Sequence, residues 1–381
     1  MLTKYLRFRG TVKNRLPQTD DYRTIAVAKT PMIDLRAPVE YSRGSFPNAF
    51  NIPLLDDRER QYIGTVYKKE GNARAVQEGH RLVSGQTKES RIGKWIDFLR
   101  QHPDSVIFCW RGGQRSEIVQ QWLAERGVAV PRLKGGYKAF RRYLMEESLR
   151  LAGKRETFVL GGRTGSGKTL LLKKLPGTID LEAVARHRGS AFGRYASPQP
   201  SQIAFENALA YSQIRHDAEG HGNLIIEDES RNIGCRYIPH KIFEIFQKSK
   251  VLILETPLKQ RIDITYDDYI VFAQKEYADA YENGKIPYSW IETMRHNFGR
   301  IRKRLGDERY TRFSRMLENA WREQKRTGNP ESHKEWIEAL LTEYYDPMYD
   351  WQIERKKERI VFRGNAREIT EWLQKSQAKN R

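Results

Sequence analysis

The sequence predicts an α/β protein: two successive parallel-sheet units, then a helical, basic C-terminal region. Three observations predict it. Short apolar runs alternate with stretches of helical spacing through the first two thirds of the chain. Two of these runs lead straight into glycine-containing turns that open helices, at 109–116 and 162–169. Beyond about Pro257, Lys, Arg and aromatic residues recur at helical spacing as far as Arg326. The 381 residues suffice for two or three domains of about 150 residues each. With 39% hydrophobic and 30% charged residues, the chain has the apolar side chains for a buried core, which excludes global disorder.

The first unit is expected over 21–150, behind an N-terminal extension of 1–20. Met32–Leu35 reads as a strand, and Asn48–Leu55 as a second extended segment. From Asp56 to about Arg91 the chain is polar and glycine-punctuated, with a helical piece at Ala73–Leu82, and Ile92–Arg100 has helical spacing. Ser105–Phe108 is a buried-type strand, followed by the turn Cys109–Ser116 and a helix at Glu117–Arg126. Val128–Leu133 and Gly135-Gly136 lead into a charged helix from Lys138 to about Leu151, and Gly153-Lys154-Arg155 reads as a hinge. The core of the second unit is expected over 151–256: strand Thr157–Leu160, a glycine-rich turn, helix Thr169–Lys174, and strands Asn223–Ile226 and Val251–Leu254. Residues 257–345 form the helical basic region, and 346–381 hold a strand-like Arg359–Gly364 and a last helix, expected to return to the second sheet.

Lys and Arg number 68 against 48 Asp and Glu, a net charge of +20, which favours a polyanionic partner such as nucleic acid. No apolar run approaches the roughly 20 residues of a membrane span. The basic N-terminus has no apolar stretch or cleavage site, so no secretory signal is expected. Cys109 and Cys235 cannot build a disulfide scaffold, and the expected location is a reducing cytoplasm.

Cys109 stands directly after an apolar strand and before a helix, in the loop Cys109-Trp110-Arg111-Gly112-Gly113-Gln114-Arg115-Ser116. Successive N–H groups of a glycine-containing loop and a helix N-terminus form an anion cradle, and the same field favours a thiolate. Arg111 and Arg115 add positive charge, so Gly112, Gly113 and Ser116 are candidates with them for holding an oxyanion, with Cys109 as nucleophile. The loop also spells Cys-x5-Arg-Ser, which suits a cysteine phosphatase, so on its own it fits both chalcogen transfer and phosphate ester hydrolysis. Ile33–Leu54 resembles the first motif of rhodanese-type sulfurtransferase domains, on Asp34, Arg36, Glu40, Gly44 and Asn51-Ile52-Pro53, and Leu133–Phe140 resembles the segment closing that domain. Phosphatases related to rhodanese share that fold.

Gly162-Arg163-Thr164-Gly165-Ser166-Gly167-Lys168-Thr169 matches the phosphate-loop pattern G-x-x-x-x-G-K-S/T, between a strand and a helix as a P-loop NTPase-like unit requires. Gly162, Gly165, Ser166 and Gly167 bring backbone N–H groups to phosphate oxygens, Lys168 supplies charge, and the Thr169 hydroxyl suits Mg²⁺. Of Glu227, Asp228 and Glu229, at the end of a strand, at least one is expected to orient a metal or a water. No base-recognition element is legible, so any diphosphate ester satisfies the loop equally well.

The two motifs in this order resemble the tRNA 2-selenouridine synthase family. Further stretches fit: Asp180-Leu181-Glu182, His187–Gly193, Gln199–Gln202 with Phe205-Glu206, Glu227–Arg231 with Ile233-Gly234, and Tyr344–Tyr349. The resemblance runs from about Asp21 onward and implies an enzyme acting on the anticodon loop of thiolated tRNAs. The wobble 5-methylaminomethyl-2-thiouridine would exchange sulfur for selenium from selenophosphate, by way of an S-geranylated intermediate made from geranyl diphosphate. It further implies Cys109 as the selenium-carrying residue, an enzyme supplying selenophosphate as partner, and no tightly bound cofactor beyond Mg²⁺.

His187 and Arg188 are candidates for substrate or tRNA contact, as are Arg300, Arg302, Lys303 and Arg304 in the basic stretch from Asn297 to Arg326. There Phe298, Tyr310, Phe313 and Trp321 fit either base stacking or a helical core. Two competing readings stand beside the RNA-modifying one. The first is a rhodanese-type sulfurtransferase or Cys-x5-Arg phosphatase with a regulatory NTPase domain. The second is a nucleic-acid-binding NTPase with a non-catalytic rhodanese unit.

Overall fold

A computed structural model describes residues 16–379. It divides into two compact units: the chain up to Ser148 together with Ser201–Ala218, and Leu149–Pro200 together with Glu219 onward. The contiguous division expected from sequence differs here, because the helix Gln202–Ala218 belongs to the first unit. Its Asn207 is fully buried and donates from Nδ2 to the Ser45 carbonyl (2.9 Å), while Arg141 donates to Asn207 Oδ1 (2.7 Å).

In the first unit, strands β1 (Gln18–Thr19), β2 (Met32–Asp34), β3 (Ala49–Asn51), β4 (Val106–Phe108) and β5 (Arg132–Leu133) form a wholly parallel sheet in the order β1-β5-β4-β2-β3. Pairing of Gln18 with Arg132 places the end of the expected extension inside this sheet. The central strands β2 and β4 are buried at every residue, as both faces of a parallel sheet are covered. Between β3 and β4 lie three helices, Asp57–Glu70, Asn72–Leu82 and Gly85–Gln101. Asp56 and Glu59 close a capping box at the first of them. The core gathers Ile33, Leu35, Trp95, Ile107, Val119 and Leu123, and Trp95 Nε1 is satisfied by the Ile52 carbonyl (2.9 Å).

In the second unit, β6 (Glu156–Gly161), β7 (Thr178–Ile179), β8 (Asn223–Glu227), β11 (Lys250–Leu254) and β12 (Ile360–Gly364) form a parallel sheet in the order β12-β11-β6-β8-β7. A hairpin of β9 (Asn232–Ile233) and β10 (Arg236–Tyr237) follows β8. After the helical region the chain returns to the sheet edge, with Leu252 of β11 opposite Phe362 of β12. The helical region includes Trp290–Leu305 and Asp307–Thr327, with π-helical turns at Asp267–Phe272 and Leu341–Tyr345. Phe298 and Phe313 are 1% and 0% exposed, so they belong to an aromatic core with Phe192, Trp290 and Trp336 and offer no base-stacking face.

Candidate active sites: a cysteine loop and a phosphate loop

Cys109 follows β4 and is held from behind by the closing segment of the first unit. The Tyr137 N–H donates to the Cys109 carbonyl (2.8 Å) and the Lys138 N–H to the Trp110 carbonyl (3.1 Å). A Cβ on Gly136, whose φ is +61°, would lie 2.5 Å from that Cys109 oxygen, so the approach requires glycine. Gly112 and Gly113 are both left-handed (φ +74° and +82°), and Gly113 caps the helix Gln114–Glu125. Left-handed glycines followed by a helix N-terminus are the elements from which an anion nest is built.

The thiol itself is not open. Cys109 is 1% exposed and packs into the core cluster with Ile33, Ile107 and Val119. Its Sγ lies 3.5 Å from Ser116 Oγ, whose own hydrogen goes to the Gly113 carbonyl (2.9 Å), which leaves the thiol as donor. Substrate contact at this sulfur requires movement of its surroundings. Ser116 therefore positions the thiol and is itself buried.

Arg115, expected to grip an oxyanion, is instead paired with Glu40 (2.7 and 3.2 Å). Burial works to raise the Glu40 carboxyl, but the Arg115 hydrogen bonds outweigh it and hold Glu40 below the usual carboxylate range. Arg36 is also spent internally: it grips Asp34 (2.6 Å) and lies 3.8 Å over the Tyr137 ring. Arg111 remains exposed beside the loop and carries no ion pair among the described residues. The Arg115→Ala protein strands Glu40, only 9% exposed, without its partner. A urea titration of the full chain is expected to show a loss of about 3 kcal/mol in the first unit.

In the second unit the phosphate loop leaves β6 and enters the helix Lys168–Leu172. A Cβ on Gly165 (φ +76°) would meet Thr265 Oγ1 at 2.4 Å and the Arg261 carbonyl at 2.8 Å. Arg261 braces the loop, donating to the Thr164 carbonyl (2.9 Å) while gripping Asp346 (2.5 and 3.0 Å). Lys168 Nζ folds back on the Gly162 carbonyl (3.1 Å). Burial works to lower its pKa, but the Tyr349 hydroxyl and the carboxylates Glu182, Glu229 and Glu227 outweigh that and raise it.

Thr169 Oγ1 lies 2.9 Å from Glu227 and 3.1 Å from Glu182. Burial, reinforced by their mutual repulsion, pushes Glu182, Glu227 and Glu229 each up to about 8. Asp228 is not part of this group, because Lys356 neutralises it at 2.5 and 2.6 Å. Glu182 was missed as a site residue. Its signal was the Asp180-Leu181-Glu182 stretch, where Asp180 caps the short helix Leu181–Ala185 and sets Glu182 in its first turn. The oxygen donors of Thr169, Glu227 and Glu182 suit a hard cation such as Mg²⁺. Among the described residues no trio of His, Cys, Asp or Glu is arranged to hold a metal alone, so Thr169 and substrate oxygens would have to share it.

A family model described as the tRNA 2-selenouridine synthase AAA domain matches residues 155–380, and a rhodanese-like domain model matches 18–143. A tRNA 2-selenouridine synthase of Sulfurovum sp. is 51% identical over 358 residues, 94% of this chain and 98% of the relative. Those of Hydrogenovibrio crunogenus and Cupriavidus necator are 46% and 45% identical over 94% of this chain and 99% and 97% of theirs. The chain belongs to the tRNA 2-selenouridine synthase family. In this family member the loop 109–116 falls within the rhodanese-like match and 162–169 within the AAA match.

The remaining candidates separate clearly in this tRNA 2-selenouridine synthase family chain. Arg188 is 8% exposed, paired with Asp268 (3.0 Å) and Glu276 (3.3 Å) and lying 3.9 Å over Tyr195, so it holds the fold and is not free for substrate. His187 is 4% exposed and held down to about 4 by burial and by the nearby Arg194, Arg300 and Arg188 charges, so it is neutral at physiological pH. Arg302 pairs with Asp307 (2.7 Å), whereas Arg300, Lys303 and Arg304 are exposed. Cys235 is exposed, and its N–H is bound by Gln199 (2.7 Å). Among the described residues no helix is long and apolar enough to cross a membrane.

The carboxyl group of three has a measurable consequence without ligand. In the fold these acids stay protonated up to about 8, while their ordinary value is 4.5. Their contribution to stability is therefore full below about 4.5 and is lost as pH rises from there through 8. His187 and His333, both held down to about 4 from 6.5, oppose this trend only until the unfolded imidazoles lose their protons, about one pH unit above 6.5. Melting temperature is expected to fall from pH 6.5 to 9, and Glu182→Gln to flatten the slope.

Proposed function

We propose that the chain exchanges the 2-thio sulfur of a wobble thiouridine in tRNA for selenium from selenophosphate, through an S-geranylated intermediate formed from geranyl diphosphate. The observation that carries this is one chain holding a cysteine anion loop and a phosphate loop with no legible base-recognition element, within a family whose named members are tRNA 2-selenouridine synthases. Sulfur on the base is a poor leaving group until alkylated. In the first step the phosphate loop, with Lys168 and Thr169, holds the diphosphate of the prenyl donor; the C–O bond breaks as the sulfur–carbon bond forms. In the second step the selenium of selenophosphate attacks C2, the C2–S bond breaks as the C2–Se bond forms, and geranylthiolate leaves with the electron pair; water then cleaves the P–Se bond and phosphate departs. The cysteine loop receives the selenium donor, with Arg111 and the amides of Gly112 and Gly113 facing its oxyanion. Mg²⁺ at Thr169, when bound, neutralises diphosphate charge. Exposed Arg300, Lys303 and Arg304 track the RNA backbone, a salt-sensitive interaction. The site of action is the cytoplasm, where tRNA is modified.

Nucleoside analysis of bulk tRNA from cells lacking the gene tests the reading. Loss of 2-selenouridine, restored by the gene, is the expected result. Unchanged 2-selenouridine sinks it.

A further inference from the structure

The first unit carries a cleft of about 1020 Å³ beside the cysteine loop, at the top of the roughly 300–1,000 Å³ typical of small-molecule sites. One wall is apolar. Ile63 and Val76 reach it from the helices Asp57–Glu70 and Asn72–Leu82, and Val83, Ile118 and Trp122 supply the edge of the core cluster. The rest of the lining includes polar and aromatic residues. Trp110, 45% exposed, stacks on Tyr137 (5.3 Å, 15°) and presents a flat face, and Arg43, Arg60 and Arg111 are exposed lining residues. These three arginines form no ion pair among the described residues, unlike Arg36, Arg115 and Arg141 of the same cleft. An apolar chain, a flat ring and flanking phosphates are the three features this lining matches together. A bare thiouridine would leave the aliphatic wall wetted.

We infer that this cleft seats the geranyl chain of the S-geranylated uridine beside the cysteine loop, so that the first unit selects alkylated over unalkylated tRNA. The inference rests on the proposed geranylated intermediate and adds where its chain is bound.

The test uses the full-length protein and synthetic anticodon hairpins carrying S-methyl, S-prenyl or S-geranyl thiouridine, with affinity read by fluorescence anisotropy. Affinity is expected to rise with chain length, the geranyl hairpin binding about tenfold or more tighter than the methyl one. Ile63→Trp and Val76→Trp, which fill the cleft from two different helices, are expected to cut that preference to about threefold or less. Their selenation of pre-geranylated tRNA should fall about tenfold while geranylation of thiolated tRNA stays within about twofold, which also reports an intact fold. Chain-length-independent binding by the parent overturns the inference, as does a filled cleft that keeps the parent's preference. If free geranyl diphosphate displaces the geranyl hairpin from the parent, and Val76→Trp abolishes binding of that diphosphate, the cleft serves the donor and the assignment to the intermediate falls. A parent that prefers geranyl hairpins yet makes none from geranyl diphosphate leaves the cleft standing and removes only the proposed route.

Discussion

Replacing Lys168 with alanine is expected to slow geranyl transfer to thiolated tRNA by about a hundredfold to a thousandfold, the usual loss when one preorganised donor to developing negative charge is removed. Lys168 Nζ rests on the Gly162 carbonyl, 3.1 Å away, and sits among Glu182, Glu227 and Glu229. A diphosphate entering the loop replaces that carbonyl as its partner. Without the ammonium, the leaving group meets three buried acids, and the loop's other cation, Arg163, is taken up by Asp350 at 2.8 Å. The assay is single-turnover formation of S-geranyl-2-thiouridine from geranyl diphosphate, read by mass of the released nucleoside. Selenation of tRNA that already carries the geranyl group should persist, because that step uses the other loop. Geranylation at the parent rate would remove the phosphate loop from the reaction.

The Cys109→Ser protein is expected to show the opposite split. Selenation should fall by at least about a thousandfold, since a hydroxyl does not ionise near neutral pH and cannot stand in for the thiolate. Geranylation should continue, and geranylated tRNA should accumulate. The substitution is nearly isosteric, and the hydrogen-bond partner of Sγ among the described residues, Ser116 at 3.5 Å, also suits a serine hydroxyl, so the fold should tolerate it. Because Cys109 is only 1% exposed, alkylation of the resting protein by a bulky maleimide should be slow and should quicken when selenophosphate or geranylated RNA is present. Undiminished selenation by Cys109→Ser ends the role assigned to this residue.

The shape of both loops was legible because each is a contiguous run set by its own backbone: glycines that turn left-handed, then a helix N-terminus. The two parallel sheets were legible for a similar reason, since buried strands such as Val106–Phe108 are apolar throughout. What escaped depends on distant pairing. Arg115 looked like an anion ligand until Glu40, 75 residues earlier, was found against it. Asp228 looked equivalent to its neighbours, but Lys356, 128 residues later, takes it out of the site. Glu182 joins Thr169 across only 13 residues, yet its strand and short helix were too brief to carry a periodic signal. Arg188 stood in a glycine- and serine-rich stretch that reads as solvated loop, and two acids on other segments together with Tyr195 of its own loop enclose it.

The helix Gln202–Ala218 has a consequence for how such a gene can be divided. Its sequence lies inside the AAA match, yet its buried Asn207 is bonded to Ser45 and Arg141 in the rhodanese-like half. The polypeptide therefore passes between its halves three times, near positions 148, 200 and 218. A stop codon after the hinge would yield a rhodanese-like fragment missing one of its own walls. Splitting the gene there, or transplanting the half into another fusion, forfeits that wall unless the segment is carried along, so inheritance of the two halves as one reading frame is built into the path of the backbone.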